Sequence, residues 1–249
     1  MNKYKYPLAA IACALVASTS HALPTVDVKF DSNIFAGSGY DDVTITVAGT
    51  NPFSVYAGRF QGTASNVVGV PDSIFVDGLN DLFMYCYDIF QHISGGTSAT
   101  YTVNMNGELA RTLDFLGAVN TVMSGQGVYD PYAWLHPING YQGAAIQLGI
   151  WESLYESSVD WSLIGGTFKA TGLDSGTGKT QQWWNTFKDA IATSDSLDGA
   201  YVMVLENPYV QDMITGDPPT IPEPGSLALL GLGLGGMLWA RRKSSARLG

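Results

Sequence analysis

The sequence predicts an α+β protein: a mainly antiparallel, β-sandwich or barrel-like sheet with a helical lobe inserted before the last strands. Three observations carry this. Segments that alternate apolar and polar residues crowd the first half of the chain. The second half shifts to helical periodicity, and the chain then returns to a strand-like run before a Pro-rich stretch. The two ends, each an apolar run beside basic residues, stand apart from this body.

The strands come first. "PTVDVKF" and "DDVTITVAG" alternate as half-buried strands do. "FSVYAGRFQGT", "SIFVDGLNDLFMYCYDIF" and "SATYTVNMNG" continue the style, with Gly and Asn as punctuation. Short strands at this spacing suit a sandwich or barrel. Next, "GELARTLDFLGAVNTVM" sets Leu109, Leu113, Leu116 and Val119 or Asn120 along one side of a helix. "YQGAAIQLGIWESLYES" is the clearest helix of the chain, "TQQWWNTFKDAIA" is another, and "DGAYVMVLENPYV" reads as a strand. "GDPPTIPEPG" is an extended linker.

The ends read as addresses. Lys3 and Lys5, the apolar run from Pro7 to Ala17 and the small-x-small site at Ser20-His21-Ala22 make residues 1–22 a cleavable signal peptide. Residues 23–215 form the body, 216–224 a linker, and 225–249 an apolar helix with a basic tail. That apolar run is short beside the roughly 20 residues of a spanning helix, yet Arg241, Arg242 and Lys243 follow at once and would hold it with the body outside the inner membrane. The membrane is thus touched only through the C-terminal helix. The body up to Ile221 carries 6 basic and 21 acidic residues, a balance that repels phosphate backbones and excludes nucleic acid as a partner.

Two side chains in the body ask for an explanation. At about 100° per residue, Gly143, Trp151 and Leu154 fall within about 40° of Gln147, which places Gln147 at the centre of an apolar helical face. Glu152, Ser153 and Glu156 fall on the far side. An unpartnered buried amide costs about 1–3 kcal/mol, so Gln147 needs compensation, of which a backbone hydrogen bond is the plain form. Cys86 is the only cysteine once the leader with Cys13 is gone, so no intramolecular disulfide is open to it. It is open to intermolecular bridging or oxidation in an oxidising compartment, or it is an inert buried thiol, or a chemically occupied one.

The tail resembles the PEP-CTERM sorting signal: Pro222-Glu223-Pro224, a Gly/Leu-rich span, then Arg-rich residues. The resemblance implies an exosortase as processing partner and delivery to the cell envelope, outer surface or extracellular matrix of a Gram-negative, exopolysaccharide-making bacterium. In the body, "MYCYDIFQ" followed by "AAIQLGIWESLYE" resembles the bacterial thioester-domain pattern, and "VYAGRFQGT" and "ENPYVQDMI" extend the similarity over roughly 56 to 214. This resemblance implies an internal thioester formed as the Cys thiolate displaces ammonia from a Gln carboxamide. Carried over, the pair is Cys86 and Gln147, with Tyr85, Asp88 and Trp151 in possible supporting roles. Asp88 would share a strand face with Cys86 if the strand is regular. Gly149 stands where Ala is commoner; opposite the core, it reads as a tolerated helix-weakening residue.

The function implied is covalent capture of an amine or hydroxyl on a surface polysaccharide or protein, a single-turnover reaction and not an enzymatic one. No cofactor or metal is expected, since His92 and His136 share no ligand spacing. Rival readings are a cysteine hydrolase pairing Cys86 with His92 or His136, and a passive matrix or carbohydrate-binding protein using the aromatic residues. "GLDSGTGKT" lacks the Gly that a phosphate loop needs at position 173, where Leu173 stands, and reads as a surface loop.

Overall fold

A computed structural model describes residues 23–217 except 36, 72–73 and 128–129. The expected signal peptide, the expected sorting motif Pro222-Glu223-Pro224 and the C-terminal apolar run lie outside the described residues. Among the described residues no helix is long and apolar enough to cross a membrane.

Alternation builds the sheets. β1 (Thr25–Phe30) buries Val26, Val28 and Phe30 and turns the residues between them outward, as the two-residue period of a strand requires. β2 (Tyr40–Val47) does the same with Val43, Ile45 and Val47. "FSVYAGRFQGT" is not one strand: it divides at Arg59 into β3 (Phe53–Gly58) and β4 (Phe60–Val68), which belong to different sheets. β5 (Leu82–Cys86), β6 (Ser98–Asn104), β7 (Phe168–Thr171), β8 (Val202–Glu206) and β9 (Met213–Gly216) complete the set. β1-β4-β5-β9-β8-β6 close into a barrel, and β3-β2-β7 form a second sheet. Every pairing is antiparallel. A barrel this narrow is filled by its own side chains, and Phe30 meets both Phe60 and Tyr101 with ring centroids 6.5 Å apart. The expected antiparallel, barrel-like sheet and helical lobe are present; β7 and β9 were not foreseen.

Among the described residues three α-helices form the lobe: the middle one in sequence packs on the second sheet, and the other two pack on that helix and on each other. α1 (Ala110–Ser124) buries Thr112, Phe115, Leu116, Val119 and Met123, whereas Leu109, expected on the buried stripe, precedes the helix and is exposed. α3 (Thr180–Ala190) buries Trp184 and Phe187. Between them lies α2 (Gly140–Tyr155), which starts at Asn139, whose side chain accepts a hydrogen bond from the Gln142 backbone N–H. Gln142 reaches back to accept from Ile138 N at 2.7 Å, a reciprocal cap close to a capping box.

α2 touches the three-stranded sheet, α1 and α3, and the end of β5. Every residue from Gln142 to Ser153 is therefore buried, as expected of a helix covered on all sides. The far side of the wheel is not a solvent face: Glu152 is 0% exposed, with Ser162 N donating to it at 2.8 Å and Arg111 at 3.9 Å. Gly149 likewise lies against α1. A Cβ there would stand 1.9 Å from Phe115 Cζ, and Phe115 is itself held among Trp161, Trp184 and Phe187. The glycine is a requirement of close packing.

Two outcomes follow. Gly149→Ala should lower stability in denaturant unfolding by about 1–3 kcal/mol through overpacking, with part of the loss restored by Phe115→Leu. Burial raises the Glu152 carboxyl from 4.5 to about 7. The folded state thus holds this proton more tightly than the unfolded one, and Glu152 lowers stability progressively as pH rises from about 4.5 to about 7. Asp77, Glu108, Asp212 and Asp217 are raised too; they persist in Glu152→Gln, so the difference between the two proteins isolates residue 152. Across that window the substitution should remove a decline on the order of 2 kcal/mol.

Candidate functional site

The site is assembled where β5 loses a neighbour. β4 begins at Phe60, which pairs with Met84, so the next rung of the ladder, at Cys86, has no strand opposite it on that side. Buried backbone groups left unpaired there would be costly. The Gln147 carboxamide takes the missing rung: Cys86 N donates to Gln147 Oε1 at 2.8 Å, and Gln147 Nε2 donates to Cys86 O at 2.8 Å. Both residues are 0% exposed. The compensation expected for Gln147 is thus a backbone one, and the backbone is that of Cys86.

On its other edge β5 pairs with β9, with Cys86 opposite Met213. Tyr87 N donates to Asp212 O at 2.7 Å, and Asp212 N donates to Gln91 Oε1 at 2.8 Å. These contacts hold the segment before β9 against the segment after β5, and they deliver Gln211 to the cysteine. Gln211 Nε2 lies 2.6 Å from Cys86 Sγ. An N–H···O bond is commonly about 2.9 Å and sulfur is larger than oxygen, so this is a very close approach. The carboxamide carbon is one bond behind that nitrogen. Sequence reasoning took "ENPYVQDMI" as part of a resemblance without assigning Gln211 a role; its signal is an amide two positions ahead of a wholly buried strand.

Of the predicted supporting residues, Trp151 reaches the sulfur, its Nε1 donating to Cys86 Sγ at 3.4 Å. Asp88 does so through its backbone, since the Cys86 thiol donates to Asp88 O at 3.3 Å. β5 ends at Cys86, so Asp88 has no strand face to share. Its carboxylate instead accepts from Phe90 N at 2.9 Å and from the Tyr155 hydroxyl at 3.2 Å. Tyr85 turns to the opposite face of β5, stacked on Trp134 with its hydroxyl donating to Trp134 O at 3.1 Å. His136 sits 3.6 Å from Asp77 and edge-on to Phe83. Neither His136 nor His92 is a hydrogen-bond partner of the sulfur. "GLDSGTGKT" leads as a largely exposed loop into α3, with Lys179 over the Tyr141 ring.

Burial pushes the Cys86 thiol well above its ordinary range; the Trp151 N–H opposes this, while the Asp88 and Asp212 carboxylates add to it. The sulfur is therefore held as a thiol. A cleft of about 200 Å³ approaches it, lined by Trp151 and Gln211 among buried residues and by Tyr56 and His92 among exposed ones. Among the described residues no cluster of His, Cys, Asp or Glu is arranged to hold a metal ion.

The two glutamines should separate in stability measurements. Gln147→Leu orphans two buried backbone groups, each worth about 1–3 kcal/mol, and should lower the melting temperature markedly. Gln211→Ala, which leaves the Cys86 backbone paired, should cost much less.

Comparison with known proteins bears on the tail. No curated protein and no solved structure matches the chain. Residues 220–243 match the PEP-CTERM protein-sorting motif, and this motif marks an exported protein that is anchored in a membrane transiently before an exosortase processes it.

Proposed function

We propose that this exported protein carries an internal thioester between Cys86 and Gln211, and that it uses the bond to attach itself covalently to a nucleophile in the cell envelope or extracellular matrix. The observation that carries the reading is the 2.6 Å approach of Gln211 Nε2 to Cys86 Sγ in a buried site. Gln147 is then the positioning residue: both of its amide atoms are spent on the Cys86 backbone, and it fixes where the sulfur stands.

The chemistry suits the surroundings. Sulfur adds to the Gln211 carboxamide carbon, the C–N bond breaks, and the thiol proton leaves with the nitrogen as ammonia. A strongly ionised thiolate is not needed, because enforced contact supplies a large effective concentration. Exclusion of water by Trp151 and the barrel wall keeps the acyl group from hydrolysis. An incoming amine or hydroxyl then takes the acyl carbon, and Cys86 regains its proton. The reaction runs once per molecule, so the protein acts as a reactive binding module and not as an enzyme.

Intact-mass measurement of the secreted protein should show a deficit of one ammonia, converted by methylamine into a covalent adduct. Cys86→Ala should abolish both. Peptide mapping should place the methylamide on residue 211. A methylamide on residue 147 would reassign the acyl donor, and a full sequence mass with no adduct would refute the thioester. Envelope attachment unchanged in Cys86→Ala would leave the passive matrix reading in its place.

A further inference from the structure

Resting on the thioester reading, we infer that Trp151 is a catalytic residue, whose indole N–H stabilises the charge gathering on the Cys86 sulfur as a nucleophile opens the bond. Trp151 is 2% exposed, and its Nε1 donates to Cys86 Sγ at 3.4 Å. The contact is to the very atom that must leave the acyl group.

The sulfur has no water to help it leave. Trp151 and Gln211 form part of the cleft wall, while Cys86, in contact with both, is 0% exposed. Charge in such surroundings is costly unless a donor meets it. Among the described residues two side-chain N–H groups reach the sulfur, Trp151 Nε1 and Gln211 Nε2. The second departs as ammonia when the thioester forms, which leaves Trp151 as the donor. Asp88 O, 3.3 Å from the sulfur, can only accept. The Tyr155 and Tyr101 hydroxyls are spent elsewhere, on the Asp88 carboxylate at 3.2 Å and on Gln211 O at 3.0 Å.

The carboxylates of Asp88 and Asp212 act against departure. Burial raises the thiol most; the Trp151 N–H lowers it, and these two carboxylates raise it further. The sulfur thus faces one side chain that favours negative charge and two that resist it. In the opening step the nucleophile's nitrogen or oxygen bonds to the Gln211 acyl carbon. The C–S bond breaks with its electron pair on sulfur, and the Trp151 N–H donates to that pair. The proton shed by the nucleophile ends on the sulfur, which returns to a thiol donating to Asp88 O. A hydrogen bond to a charged acceptor is about twice as strong as a neutral one, so the Trp151 contact strengthens as the bond breaks. A gain realised in the transition state is the kind that accelerates a reaction.

The test follows opening of the preformed thioester by methylamine in the secreted protein, using intact mass over time. Trp151→Phe keeps an aromatic wall and removes the N–H. It should retain the ammonia deficit yet open about 10- to 100-fold more slowly, a smaller effect than an oxyanion donor gives because sulfur is a weak acceptor. A residue that only shields the bond would act oppositely, since a loosened wall admits methylamine faster. Asp88→Asn and Asp212→Asn keep an oxygen to accept from Phe90 N and Asn207 N, and each should speed opening about 2- to 5-fold. Trp151→Phe opening at the wild-type rate or faster, or both Asn variants opening more slowly, would overturn the inference and leave the thioester standing. If Trp151→Phe fails to form the bond, protein grown on ring-fluorinated tryptophan decides, because that N–H is a stronger donor of nearly the same shape. Faster opening then upholds the assignment, and an unchanged or slower rate overturns it. A wild-type protein that has lost no ammonia would overturn the thioester and this inference with it.

Discussion

The pair of hydrogen bonds between the Gln147 carboxamide and the Cys86 backbone is the constraint on which the rest of the site depends. A side-chain amide offers one donor and one acceptor at the spacing of a peptide group, so it can stand in for a strand residue. Here it does so on the one rung of β5 that β4 does not reach. The substitution ties the central helix to the end of a barrel strand. It also fixes the cysteine backbone from one edge while β9 fixes it from the other.

That arrangement divides labour between two glutamines that are chemically identical. Gln147 has no free amide atom; Gln211 points its own at the sulfur. The backbone of Gln211 is held by the Tyr101 hydroxyl, which donates to Gln211 O at 3.0 Å, so the barrel interior helps aim the side chain. Enclosure keeps the thiol neutral and, on the proposed reading, keeps water from the acyl group. A free thiol in an exported protein invites oxidation when exposed; burial of Cys86 at 0% exposure removes that access.

The centre of the molecule explains the price of such precision. α2 is enclosed by the second sheet, by α1 and α3, and by β5, so every face of it must fit something. Gly149 admits the Phe115 ring, and Glu152 receives the Ser162 N–H in a buried position. A helix this constrained can hold Gln147 and Trp151 in fixed places against a sulfur, as a site needing exact contact demands.

Local patterning carried the alternation of strands, the position of the three helices and the sorting address at the tail, and it singled out Cys86, Gln147 and Trp151, which the fold brings together at the end of β5. These are local properties: period, cap, composition and the oddity of an amide on an apolar stripe. Which glutamine meets the sulfur is a matter of packing between distant segments. Gln211 lies 125 positions from Cys86, and their meeting depends on the register of β5 on β9 and on the turn before it. The same holds for the division at Arg59 and for Gly149. A helical wheel marks the most apolar side, but it cannot tell that neighbours occupy the opposite side too, because burial is set by what packs against a segment and not by the segment alone.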